Sequence, residues 1–201
     1  DSASIYDLVF VNPDTGWCVA GNKVKRSVDG GKTWSTQLQL SSGTFLSSIF
    51  FIDKSIGWVV GESNFIRRTA NGGATWTAYP SGGNIALMND VFFIDANNGW
   101  AVGNEVIGGE NKGAVFKTND GGLTWKPIRP DFGGWIPSSV YFIDFFTGWI
   151  VSGTGLYYSN DGGENWILDQ PFFFKTGYNF LNTVQFFSDT TGWVAGSYGT
   201  I

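Results

Sequence analysis

The side chains able to do chemistry are few, and their kinds exclude more than they allow. Histidine is absent from the 201 residues. That removes histidine zinc sites, Ser–His and Cys–His nucleophile pairs and histidine general bases. Cys18 is the single cysteine, so an internal disulfide is impossible. Its place in the strand-like run Gly16-Trp-Cys-Val-Ala20 marks it as a packed, inert thiol. Carboxylates remain. Glycosidic hydrolysis needs two of them roughly 5 to 10 Å apart. Asp14, Asp53, Asp95, Asp144 and Asp189 precede Gly-Trp pairs and read as turn residues. Asp7, Glu62, Asp90, Glu105, Glu110, Asp131, Glu164 and Asp169 are left over. Among these Glu62, Glu105 and Asp131 could face one cleft, although no motif links them.

Composition narrows the partners. Charged residues make up 14% of the chain and the net charge is −5. An acidic chain poor in Lys and Arg lacks the basic face that phosphate neutralisation needs, so nucleic acid is not an expected partner. No apolar run approaches 18 residues, so no membrane-inserted helix is expected.

The elements that must position these groups announce themselves by repetition. Ser27-Val-Asp-Gly-Gly-Lys-Thr-Trp34 recurs at Thr69–Trp76, Thr118–Trp125 and Ser159–Trp166. Each copy follows an aromatic run ending in Gly-Trp, at Trp17, Trp58, Trp100 and Trp149, and a fifth Gly-Trp ends at Trp193. A period near 42 residues signals a repeat architecture. In the third copy, strands are expected at Asp90–Ile94, Trp100–Val102, Gly113–Thr118 and Thr124–Ile128, with turns at 95–99 and 120–122. Four short antiparallel strands per repeat make the blade of a β-propeller. The expectation is one all-β domain over 1–201. Its blades lie near 5–40, 46–80, 88–130, 138–170 and an incomplete 181–201, part of a larger propeller of about seven blades.

The repeated box has a structural explanation. Asp29, Asn71, Asp120 and Asp161, each with a Ser or Thr two residues before it, can close the turn by side-chain bonds to the backbone. Trp34, Trp76, Trp125 and Trp166 then pack on the sheet. Asn71 keeps the acceptor of the aspartate it replaces, whereas Asn165, standing where the other copies have Thr, is expected to weaken a cross-strand contact. The box carboxylates are whole blades apart and cannot converge on one ion, so neither metal nor cofactor is expected.

The box resembles the BNR, or Asp-box, repeat of bacterial sialidases and many secreted propellers. The paired pattern Val91-Phe-Phe-Ile-Asp-Ala-Asn-Asn-Gly-Trp-Ala-Val-Gly103 and Lys117-Thr-Asn-Asp-Gly-Gly-Leu-Thr-Trp125 resembles the photosystem II stability/assembly factor family. That resemblance implies a seven-bladed, non-catalytic propeller outside the cytoplasm: secreted, periplasmic or thylakoid-lumen-like. Its partner would be a protein, in the assembly-factor case an unassembled membrane subunit. The sialidase resemblance would require an arginine triad, and the chain's arginines are Arg26, Arg67, Arg68 and Arg129, in no such arrangement. The function expected is a non-catalytic scaffold that binds a protein partner. The alternative is a carbohydrate-binding or glycoside-hydrolase propeller of sialidase-like or xyloglucanase-like kind.

Spacing locates a working face. Gly-Trp tryptophan to box tryptophan spans 17, 18, 25 and 17 residues, and box to next Gly-Trp spans 24, 24, 24 and 27. The extra length falls between strands two and three of the third copy, around 104–113, and after the fourth, around 169–178. Both connections open on the face opposite the box turns, and variable loops on a rigid scaffold commonly carry binding. The candidate binding residues are therefore Trp135, Phe172, Phe173, Phe174, Tyr178, Glu105, Glu110, Lys112, Arg67 and Arg129. The phenylalanine run has a second reading, as cover for the seam between blades.

Overall fold

The computed structural model describes residues 4–79, 84–171 and 180–199. Alternating β-branched and aromatic runs, cut by Gly, Asn and Asp turns, fold as four four-stranded antiparallel sheets and a two-stranded one. The first blade is β1 (Ile5–Phe10), β2 (Gly16–Ala20), β3 (Lys23–Ser27) and β4 (Ser35–Gln39). The second is β5 (Leu46–Phe51), β6 (Gly57–Gly61), β7 (Ile66–Thr69) and β8 (Thr77–Ala78). The third is β9 (Ile85–Phe93), β10 (Gly99–Ile107), β11 (Glu110–Thr118) and β12 (Lys126–Ile128). The fourth is β13 (Pro137–Phe142), β14 (Gly148–Ser152), β15 (Gly155–Ser159) and β16 (Ile167–Pro171). Strands β17 (Leu181–Phe186) and β18 (Gly192–Gly196) begin a fifth. Within each blade the strands pair in chain order, and the first strands of successive blades lie side by side. This is the blade arrangement of a β-propeller.

The two repeated phrases join one blade to the next. Trp17, Trp58, Trp100 and Trp149 are at most 2% exposed. Each stacks on a phenylalanine of the following blade: Phe51 at 3.7 Å, Phe93 at 3.5 Å, Phe142 at 3.6 Å and Phe186 at 3.7 Å between ring centres. The indole N–H groups of Trp17, Trp58 and Trp100 donate to the box carbonyls of Gly72, Gly121 and Gly162 in that blade, at 3.0, 2.8 and 2.9 Å. Box tryptophans Trp76, Trp125 and Trp166 meet the same phenylalanines edge-on. The glycine before each Gly-Trp indole is required by close approach: a Cβ on Gly57 would stand 2.5 Å from the Phe51 ring.

The turns correct two expectations. Asn165 does not weaken its box, because its amide reaches Asp161 Oδ2 at 2.7 Å, where Thr33 and Thr124 use a hydroxyl. Asp14 and Asp189 are not the carboxylates that close the turns before Gly-Trp. Asn12 Oδ1 and Ser188 Oγ accept those bonds, whereas Asp53, Asp95 and Asp144 do so in the other blades.

The extra residues of the third copy form strand, where a loop was expected. β10 and β11 pair without interruption from Gly99↔Thr118 to Ile107↔Glu110. Gly108 and Gly109, with φ of +62° and +86°, turn the corner, which two consecutive left-handed residues do without splaying the strands. β9 lengthens with them, pairing Ile85 with Glu105. Among the described residues no helix is long and apolar enough to cross a membrane.

Candidate functional site

Two places gather polar groups. The first is the axis. Each first strand carries a bulge, at Tyr6, Ser47, Asn89, Ser138 and Asn182, where the pairing register skips. The bulge re-aims the next residue, which is Asp7, Ser48, Asp90, Ser139 or Thr183. Ser48 Oγ lies 2.8 Å from Asp7 Oδ2 and 3.0 Å from Asp90 Oδ1. Ser139 Oγ and Val140 N both donate to Asp90 Oδ2 at 2.9 Å. Burial pushes the Asp90 carboxyl up to about 6 and the Asp7 charge adds to the rise, against the bonds from Val140, Ser139 and Ser48. Bulge residues stitch the blades: Asn89 Nδ2 donates to Pro137 O at 2.8 Å and Ser138 Oγ to Leu181 O at 2.7 Å. Sequence reasoning left Asp7 and Asp90 unassigned. The signal was a polar residue three places before the phenylalanine that ends the first strand of every blade, as in Asp7…Phe10 and Ser48…Phe51. These groups bond one another across blades, which makes the belt a structural joint.

The second place is the face opposite the box turns, between the β10–β11 hairpin and the connection to the fourth blade. A cavity of about 440 Å³ is bounded by Ile107 and Glu110 to Gly113 on one side and by Arg129 to Phe132, Gly134 and Trp135 on the other. The connection can cross the hairpin closely because of Gly113, where a Cβ would come within 2.6 Å of Trp135 O. Phe132 anchors it, 3% exposed and edge-on to Tyr157 at 5.0 Å. Burial, with the Asp131 charge, raises the Tyr157 hydroxyl above its ordinary range. Trp135 stays 40% exposed, over Gly153 and 5.2 Å from the Phe180 ring, and it also borders a second cavity of about 270 Å³.

The structure therefore brings Trp135, Glu110, Lys112 and Arg129 to one cavity. Glu105 differs from the surface contact that the spacing suggested. It is 2% exposed, and both its oxygens accept from Arg129, through Nε and, at 3.0 Å, through Nη2. Its role is to hold Arg129, whose guanidinium is kept above its ordinary range by that bond. Glu110 and Lys112 form an exposed pair at 2.7 Å. Arg67 lies apart on β7, over the Phe65 ring at 5.1 Å. Glu62 is absent from the cavity's lining, so the three-carboxylate cleft does not form there. Phe172, Phe173, Phe174 and Tyr178 lie outside the described residues. In the boxes, Asp29 Oδ1 accepts from Thr33 N at 2.9 Å and Asp120 Oδ1 from Thr124 N at 2.9 Å. Asn71 keeps this acceptor role toward Thr75 N, also at 2.9 Å. Cys18 is buried, and burial pushes its thiol up.

Residues 157–166 match the model of the BNR/Asp-box repeat. That stretch ends the fourth copy of the box. Residues 1–84 match the family model described as photosynthesis system II assembly factor YCF48. No curated protein sequence matches. Among solved structures, "YCF48 bound to D1 peptide" is 18% identical, with 98% of this chain and 92% of that one covered and a TM-score of 0.51. An ancestral GH74 enzyme is 20% identical over 82% of this chain and 24% of its own, with a TM-score of 0.66. The GH74 xyloglucanase from Xanthomonas campestris is 14% identical over 98% and 37%, with a TM-score of 0.64. The chain thus spans a quarter to somewhat over a third of those GH74 enzymes. At these identities the likeness is one of propeller fold.

Proposed function

We propose that this chain is a non-catalytic propeller segment acting outside the cytoplasm, which binds a segment of a protein partner in the cavity between the β10–β11 hairpin and Trp135. The observation that carries the reading is an exposed indole facing the end of a strand hairpin across a cleft, with Arg129 held in its wall by the buried Glu105 carboxylate. Trp135 and Ile107 are each 40% exposed there. The match of residues 1–84 to the YCF48 assembly-factor model, and the fold shared with a YCF48 that carries a peptide, support a peptide-like occupant. An assembly or stability role follows as the proposed context.

The second reading, a carbohydrate site, draws on the exposed Trp135, since an indole face is a sugar platform. Against a glycosidase stands the state of the carboxylates. Glu105 is sealed behind Arg129, which leaves Asp131 as the other carboxylate of the suggested set near the cavity. The test is parallel display of a random heptapeptide library and a glycan array against the protein and its Trp135→Ala variant. The proposal expects peptides that depend on Trp135 and no glycan that does. Trp135-dependent glycans without peptides would replace it with the carbohydrate reading.

A further inference from the structure

Strand β11 runs for nine residues, but its outer neighbour covers only part of it. β12 pairs with Val115, Phe116 and Lys117, whereas Glu110 to Ala114 pair only inward, with β10. Two observations show which way the main chain of that stretch points. The first is the Gly108-Gly109 turn. Residues flanking a two-residue turn exchange both main-chain bonds, and bonded pairs then alternate. Ile107 and Glu110 flank it, so Glu110, Lys112 and Ala114 point at β10 and Asn111, Gly113 and Val115 point outward. The second is Pro127, which has no N–H and stands opposite Phe116. The bonded pairs on the outer side are then Val115–Ile128 and Lys117–Lys126, again the odd-numbered residues. Val115 and Lys117 use their outward groups on β12. Among the described residues, no main-chain bond from outside the ladder reaches Asn111 or Gly113.

Beyond those two residues lies the cavity, whose far wall begins at Arg129 and Pro130. We propose that this edge is a strand-addition site: an extended peptide segment, neutral to basic, lies in the cavity and exchanges main-chain bonds with Asn111 and Gly113. Alternate side chains of such a strand face opposite ways. One apolar side chain meets Ile107 and Trp135. The charge of the lining sets the rest. Lys112 pairs with Glu110 and Arg129 with Glu105, so among the described residues of the lining Asp131 is the unmatched charge and selects a basic side chain. The inference rests on the peptide-binding reading above and specifies its mode.

The test uses heptapeptides selected by display on the intact protein, then resynthesised with a single N-methyl group moved along each. N-methylation removes one main-chain donor. Strand addition predicts alternation at the edge: at the two residues opposite Asn111 and Gly113, spaced by two, binding weakens about tenfold or more, and at the residue between them it stays within about twofold. Amide hydrogen exchange at Asn111 and Gly113 slows on binding. If no peptide is selected, the peptide-binding reading fails and takes this inference with it. If peptides bind but the N-methyl series shows no alternation, or Asn111 and Gly113 gain no protection, strand addition is overturned while peptide binding stands.

Discussion

The axial belt holds one proton fewer than its geometry can use. Ser48 has a single hydroxyl hydrogen and sits within bonding distance of carboxylate oxygens on both Asp7 and Asp90. With both acids ionised it can donate to one and must turn a lone pair toward the other. A proton on Asp90 resolves this, since Asp90 then donates to Ser48 and Ser48 to Asp7. The carboxyl's rise from its ordinary 3.8 to about 6 has the same sense. The folded state therefore binds this proton more tightly than the unfolded chain does. Its contribution to stability is full below about pH 4 and is lost as pH rises through about 6. At most it amounts to roughly 3 kcal/mol. Urea unfolding followed by tryptophan fluorescence, at intervals between pH 4.5 and 7.5, should show stability falling with pH. Asp90→Asn removes the titrating carboxyl and should flatten the slope in that window, whatever it costs in overall stability through the Val91 N–H that Oδ1 now accepts. A stability that is level or rising from pH 4.5 to 7 in the parent, or an unchanged slope in Asp90→Asn, would refute the proton count.

At lower pH the sign reverses. The box carboxylates Asp29 and Asp161 are held down to about 2, Asp29 chiefly by the Thr33 hydroxyl and Asp161 by bonds from Asn165 that outweigh its burial. Their contribution is present above about pH 4 and lost as pH falls toward 2, so the unfolding series extended from pH 4.5 down to about 2 should turn over and decline. Trp58→Ala should destabilise by about 3–5 kcal/mol, because it empties a fully buried site and leaves the Gly121 carbonyl without its donor; Trp58→Phe should cost roughly 1–2 kcal/mol, with denaturant midpoints deciding both. Arg129→Ala should cost more than Glu105→Gln, about 3–5 against about 1–2 kcal/mol, since the first strands a buried charge and the second leaves a half-exposed one. Combining the two substitutions should recover much of the Arg129→Ala loss in the same unfolding assay.

Blades and boxes were legible because each rests on local rules that repeat. Gly-Gly after Asp demands a turn, and alternating aromatic runs demand strands. What the box tryptophans and Gly-Trp indoles do for one another was not legible. The bond from Trp58 to Gly121 joins residues 63 positions apart, and no pattern within one repeat records it. The hairpin at 104–113 was misread as loop because Asn104, Glu105, Asn111 and Lys112 are polar, and polarity in a chain excess suggests solvent. In the structure Asn104 and Glu105 are buried and satisfied by Asn111 and Arg129, which only the fold brings within reach. The cavity was half legible. Length variation pointed to the hairpin wall and Trp135, the one tryptophan outside both repeated phrases, to the other, but the crossing at Gly113 that brings them together depends on a missing Cβ.

The hairpin also explains why this face can vary while the box face cannot. The added residues enter β10 and β11 beyond Gly103 and Ala114, at the ends farthest from Gly99 and Thr118. Pairing stays in register down to Gly99, so Trp100 keeps its stack on Phe142 and its bond to Gly162. An insertion at the box end would instead slide Trp100 relative to the next blade, and a one-residue slip would turn its indole to the wrong side of the sheet. The blade-to-blade joint is thus built near one end of each strand pair. The other end is free to lengthen, expose an edge and line a cavity at almost no cost to the joint. The largest break in the repeat's rhythm within the described residues is this lengthened hairpin, and it falls at the end that leaves the joint untouched.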